Sequence, residues 1–234
     1  MIRKFLAIFI LFNMTACAEL QQVVNNLPQG GALGNTEIAS GLRQALDLGV
    51  DKQVTKLTQQ DGFFKNELVK ILLPAELQKV DKALRDIGLS KLADEGLKVL
   101  NRAAEDAVKE ATPIFINAIN DITFDDAKNI LLGNNDAATQ YLTSKTQDAL
   151  YIKFSPVIKN SFNKVGADDI WNNLIQKYNA IPFTNNVNPD LTDYVTHEAL
   201  KGVFTMIAME EKDIRTKISS RSTDLLKKVF ALQD

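Results

Sequence analysis

TEIASGLRQALDLGVDKQVTKL, residues 36–57, decides the fold class. Its apolar residues Ile38, Leu42, Ala45, Leu46, Val50, Val54 and Leu57 recur at the spacing of a helical stripe, and the same positions would scatter over both faces of a strand. The Asp61-Gly62 pair that follows is a turn signal. Downstream no segment sustains a period of two, and a strand has room only around Val69 to Leu73.

The same pattern continues to the C-terminus. Pro74 can open a second helix at its first turn, where no backbone donor is needed, with Leu77, Val80, Leu84 and Ile87 on its apolar face up to Gly88. Ser90 suits the cap of a third helix, carrying Leu92, Leu97, Leu100, Ala104 and Val108, which Pro113 bends or breaks. Thr123 with Asp126 three residues on reads as a variant capping box for a short helix stopping at Gly133. A long helix from Asp136 to Lys164, interrupted near Pro156 and closed by Gly166, is followed by helices at 167–179, 191–216 and 222–232. Two stretches, Ile114 to Ile119 and Val203 to Met209, are apolar on nearly every face, which marks them as the central elements. The expected fold is all-α: a single-domain irregular bundle of about eight helices over residues 36–234, with no 20–50-residue repeat.

A chain of 234 residues with 45% apolar composition can bury roughly 70% of its unfolded surface around one core. With 27 basic and 29 acidic residues it lacks the cationic surplus that phosphate backbones require, so nucleic acid is a poor partner. One Cys excludes an internal disulfide, and one His excludes a His-rich metal site. The chain shows no Gly-rich phosphate cradle and no Gly-x-Ser-x-Gly elbow, so neither nucleotide nor serine-hydrolase chemistry has a foothold, and no cofactor is expected.

The N-terminus predicts an address. Residues 1–16 carry Arg3 and Lys4, an apolar run from Phe5 to Phe12, and small residues ahead of Cys17, the plan of a secretory signal peptide whose core is too short to span a bilayer. Met14-Thr15-Ala16-Cys17 resembles a bacterial lipobox, with Met14 where Leu is usual. That resemblance implies that the Cys17 thiol takes a diacylglycerol, that the chain is cut before it, and that the new terminus is acylated; several acyl chains give stable anchoring. The cut removes Arg3 and Lys4 and no acid, so the 27 basic groups fall to 25 against 29 acidic ones, and lipid rather than a basic patch must hold the protein to the membrane. Ala18 after the Cys, with no acidic run, resembles an outer-membrane lipoprotein facing the periplasm. Residues 17–35, with Pro28, Gly30, Gly31 and Gly34, read as a flexible tether that holds the body about 23 Å from its anchor.

Several phrases resemble a bacterial family, domain of unknown function 4197: GLRQALDLGVDKQV (41–54), DGFFKNELVKILLPAELQKVDKALRDIG (61–88), LNRAAEDAV (100–108), DAKNILLGNNDAATQYL (126–142) and YVTHEALKGVFTMIAMEEKDIR (194–215). They run colinearly over most of the chain, and the last is the strongest. The resemblance implies an exported, often lipid-anchored helical protein with no assigned activity, and it transfers no catalytic residue.

Candidate chemistry is sparse. Tyr194, His197 and Lys201 share one helical stripe and could set a general base beside a phenol and an ammonium; a surface or structural His is the competing reading. The acidic pairs Asp125-Asp126 and Asp168-Asp169 fall in first turns, where capping explains them. Glu210-Glu211 form no clamp by themselves, and Glu211 with Arg215 is expected to be an exposed ion pair contributing well under ~1 kcal/mol. Leu132 to Asp136 reads as a helix stop followed by an Asp cap, not a cation loop, so no metal is expected. Phe63-Phe64, and Phe183 with Ile181 and Val187 in the Pro182–Pro189 loop, either plug the core or rim a groove for a lipid or partner helix. Three functions stay open: a non-catalytic envelope protein binding an apolar ligand or a protein partner, an enzyme using the 191–216 helix, or a structural spacer. The first is the preferred expectation.

Overall fold

Eight α-helices and one 3-10 turn, with the segments joining them, make up most of the described residues, which in this computed structural model are 34–86, 88, 90–165, 176 and 191–233. The expected leader 1–16, Cys17, nearly all of the tether, all but Gln176 of the helix at 167–179 and the loop holding Phe183 lie outside them, as do Ile87 and the side chains of Val80, Leu84 and Leu92. The helices are α1 (Asn35–Thr58), α2 (Ala75–Asp86), α3 (Ser90–Val108), α4 (Ala111–Asn120), α5 (Phe124–Leu131), α6 (Ala137–Lys164), α7 (Leu191–Thr216) and α8 (Asp224–Phe230). No strand occurs among the described residues, so the all-α expectation holds, and the chain from Asn35 forms one compact unit.

The α1 stripe buries as its spacing predicts: Leu42, Leu46, Val50, Val54 and Leu57 lie inside, and only Ile38 is partly exposed. α1 packs against α4, α5, α7 and α8, while α6 packs against α3 and α7. Each large side chain wholly withdrawn from water, such as Phe115, Phe154 and Ile119, contributes about 1.5–3 kcal/mol of transfer free energy.

α7 is a central element, as its nearly all-round apolar surface required: Val195, Ala199, Val203, Met206 and Ile207 are buried between α1, α3 and α6. α4 is not. Ile116 is 43% exposed and Ile114 half-exposed, so this short helix buries one face, through Phe115, Ala118 and Ile119, and leaves the other to solvent. Phe115 meets Phe204 of α7 edge to face, ring centres 6.0 Å apart.

Two prolines act differently from expectation. The break before Pro113 falls at Lys109-Glu110, and Pro113 sits in the first turn of α4, where its missing N–H costs nothing. Pro156 does not interrupt α6, which runs unbroken from Ala137 to Lys164. Both Pro156 and Ile152, whose carbonyl loses its helical donor, are on the exposed face, so water can satisfy the orphaned acceptor. The capping box at α5 is complete: Thr123 Oγ1 accepts from Asp126 N at 3.1 Å, and Asp126 Oδ2 accepts from Thr123 N at 3.0 Å.

Candidate functional site

Buried charges sit on α3 and α7 and, as Arg221, between α7 and α8; Glu105, Glu211, Arg215 and Arg221 bond to backbone, and Glu210 bonds to side chains. On α3, Asn101 and Glu105 are buried one turn apart and face the chain between α1 and α2. Glu105 Oε1 accepts from Phe63 N at 3.1 Å, and Arg102 bridges from Glu105 to Asp61 Oδ1, 2.6 Å away. This holds the turn that reverses the chain after α1, in which Asp61 takes a left-handed φ of 68°. Its carboxyl is held below the usual carboxylate range by the Lys65 hydrogen bond first and by Arg102 second. Phe63 is thereby driven wholly into the core, whereas Phe64 stays partly exposed with the Lys70 ammonium 5.0 Å from its ring centre.

Asn101 performs the next hold. Its amide oxygen accepts from Ile71 N at 2.8 Å and its amide nitrogen donates to Ile71 O at 2.9 Å. One planar amide can engage both groups of a residue only if they point the same way, as in an extended chain. Burial alternates to match: Ile71 and Leu73 are inside, and Leu72 is 54% exposed. The segment around Val69 to Leu73, where the sequence left room for a strand, is therefore strand-like but paired to a side chain instead of a sheet.

Between this segment and α7 runs an open groove of about 680 Å³, lined on one side by Leu68, Lys70 and Leu72 and on the other by Tyr194, Glu198 and Lys201. Tyr194 donates to Leu72 O at 2.9 Å across it. The floor is tight: a methyl group on Gly202 would lie 2.7 Å from the Phe63 ring and 3.3 Å from Val69.

The predicted stripe divides here. Tyr194 and Lys201 line the groove, and Lys201 lies 3.5 Å from Glu198. His197 is more than half exposed beside α6; its Nδ1 is 3.0 Å from Asp193 O and 3.3 Å from Asp193 Oδ1, and its ring centre is 5.1 Å from that of Tyr151. Tyr151 donates to Asp193 Oδ1 at 2.6 Å. The structure thus brings His197 to Asp193 and Tyr151, not to the groove.

At the far end of α7 the sequence reading is corrected. Glu211 and Arg215 are not an exposed pair: their side chains are 6% and 4% accessible, and they meet at 2.8 Å. Glu211 accepts from Ala138 N, Thr139 N and Thr139 Oγ1 at 2.7–2.9 Å, so it caps α6. Asp136 makes no cap bond; its carboxylate accepts from Gln140 at 2.9 Å instead. Arg215 donates to the last carbonyls of α5, Ile130 O at 2.8 Å and Leu131 O at 3.2 Å. Glu210, also buried, accepts from Lys52 at 2.6 Å and Gln53 at 2.7 Å. The cavity beside these groups holds about 20 Å³, enough for one water.

Among the described residues no cluster could hold a metal ion, and no helix is long and apolar enough to cross a membrane. Asp125 and Asp126 serve the first turn of α5, while Asp168-Asp169 and Cys17 lie outside the described residues. Sequence reasoning missed Asn101, Arg102 and Glu105; the available signal was a pair of polar residues four apart, Asn101 and Glu105, beside the apolar stripe of one helix. No curated protein and no solved structure matches the chain. The family model described as a protein of unknown function, DUF4197, matches residues 32–231, which takes in α1 to α8, the groove and both buried charge clusters, and the chain belongs to that family.

Proposed function

We propose that the protein is exported, held at the bacterial outer membrane on its periplasmic side by lipid on Cys17, and works as a non-catalytic binding module that takes a protein partner in the groove beside α7. The groove carries this reading: about 680 Å³ of open, mixed polar and apolar surface, rimmed by the exposed Leu68 and Leu72. The cavity under α7, at about 20 Å³, is too small for an acyl chain, so an apolar ligand fits the reading less well than a partner does. The leader pattern and the lone Cys17 support the anchor.

Two measurements test it. Labelled palmitate should enter the wild type and not Cys17→Ser. A photo-crosslinking residue at Thr205 in the groove should trap one discrete partner in intact cells, while the same residue at Ile152, on the exposed face of α6, should not. Equal labelling of both variants sinks the anchor, and identical crosslinking from both positions sinks the groove. A catalytic reading now rests on Asp193 and His197, four apart on α7, with Tyr151 brought to them from α6. It requires that His197→Ala abolish a turnover that groove substitutions leave intact.

A further inference from the structure

We infer that the groove takes an extended, acidic peptide segment, which adds as a strand to the chain at Lys70–Leu73; this rests on the binding role proposed above. In an extended chain successive residues point their N–H and C=O groups to opposite sides. Asn101 occupies both groups of Ile71 from the α3 side. The groups of Leu72 therefore face the other way, and Tyr194, which lines the groove, reaches Leu72 O from there at 2.9 Å. Among the described residues no hydrogen bond engages the Leu72 N–H. A strand laid in the groove would take that donor and share the Leu72 carbonyl, whose second lone pair is available to a peptide N–H.

The side chains select the same occupant. Leu68 and Leu72 are 63% and 54% exposed on the rim, and alternate apolar side chains of an extended peptide would cover them. Among the described residues Lys70 and Lys201 line the groove against one carboxylate, that of Glu198, a local cationic excess in a chain of net charge −2. A carboxylate on the incoming segment answers that charge. A helix would leave the Leu72 donor unused, because its own backbone groups are already paired.

The test is to pan a display library of random nine-residue peptides against the full-length protein in detergent and to measure fluorescein-labelled versions of the selected peptides by polarisation. Selected sequences should alternate apolar residues around an acidic one. Leu72→Pro, which deletes the donor, and Lys201→Glu should each weaken binding at least tenfold, and Leu72→Ala, which keeps the donor, should weaken it less. Hydrogen exchange at the Leu72 amide should slow when wild-type protein binds the peptide, a readout that holds even if the proline variant folds poorly. Failure to select any sequence, or binding indifferent to these changes and to Leu72 exchange, overturns strand addition. If the Thr205 crosslink still traps a discrete partner, the binding role survives without it; if that crosslink is also lost, both fall.

Discussion

Glu211 and Arg215, one turn apart on α7, bond to each other at 2.8 Å and reach in opposite directions to the two helix ends that flank the Leu132–Asp136 turn. The carboxylate meets the N–H groups that open α6, and the guanidinium meets the carbonyls that close α5. Each charge thus opposes the helix dipole at its own end and satisfies groups that would otherwise be orphaned.

Removing one partner leaves the other charged and buried. Glu211→Ala should cost about 3–5 kcal/mol, which for a body of this size lowers the melting temperature by about 10 °C or more. Replacing both residues with methionine should cost less than the sum of the two single replacements, with a coupling of about 0.5–3 kcal/mol. A double-mutant cycle by thermal or urea denaturation checks this; additive losses would show that the pair acts only through its separate contacts with backbone.

The α5 capping box gives a prediction in pH. The Asp126 carboxyl is held below its ordinary range, first by the Thr123 hydroxyl and then by the Thr123 backbone N–H, with burial opposing them and Lys145 adding to them. A carboxyl lowered on folding stabilises the native state above its unfolded pKa, and that contribution is lost as pH falls through the folded value. Asp126→Asn should therefore cost about 1 kcal/mol near neutrality, and the gap between variant and wild type should close below about pH 4. Denaturation of both proteins between neutral and acid pH measures this; a gap unchanged by acid would assign the cost to geometry alone.

Pro156 predicts a gain. It lies on the exposed face inside an unbroken helix, where proline removes one hydrogen bond and crowds the carbonyl four residues back. Pro156→Ala should restore that bond and stabilise the protein by about 1–2 kcal/mol, less than the full helix-interior difference because proline also restricts the unfolded chain. A higher urea midpoint with an unchanged slope is the expected result; no change would mean that the helix already yields at Ile152 without cost.

Local features were legible in the sequence and distant ones were not. The α5 capping box joins residues three apart, and the α1 and α7 stripes are long enough for their period to dominate, so all three emerge from spacing alone. Glu211 finds its partners 72 and 73 residues away and Arg215 finds carbonyls 84 and 85 away, so their spacing of four suggested only a surface pair. α4 misled for a different reason: its ten residues hold three large apolar side chains in succession, and nothing local distinguishes burial on all faces from the single face it uses. The groove was only half visible. Tyr194 and Lys201 stood out by their spacing, but the opposite wall comes from residues more than 100 positions earlier, held by an asparagine that no motif marks.

Gly202 couples the packing of the core to the shape of that groove. It faces Phe63 and Val69 across the floor, and its missing side chain allows α7 to approach. A Cβ there would sit 2.7 Å from Phe63 Cε1 and 3.3 Å from Val69 Cβ, closer than van der Waals contact permits in the first case, so the Phe63 ring must shift. Phe63 is fully buried, and Glu105 holds its backbone N–H at 3.1 Å, so the ring cannot move far without disturbing the turn that leads into Leu68 and Leu72. Gly202→Ala should therefore destabilise the protein by about 1–3 kcal/mol and weaken groove-directed crosslinking from Thr205. Phe63→Leu in the same chain should restore part of both by opening space beneath the new methyl group. A stability loss with unchanged crosslinking would show that the wall carrying Leu72 is held by Asn101 independently of the floor, and Asn101 would then be the residue that sets the groove's width.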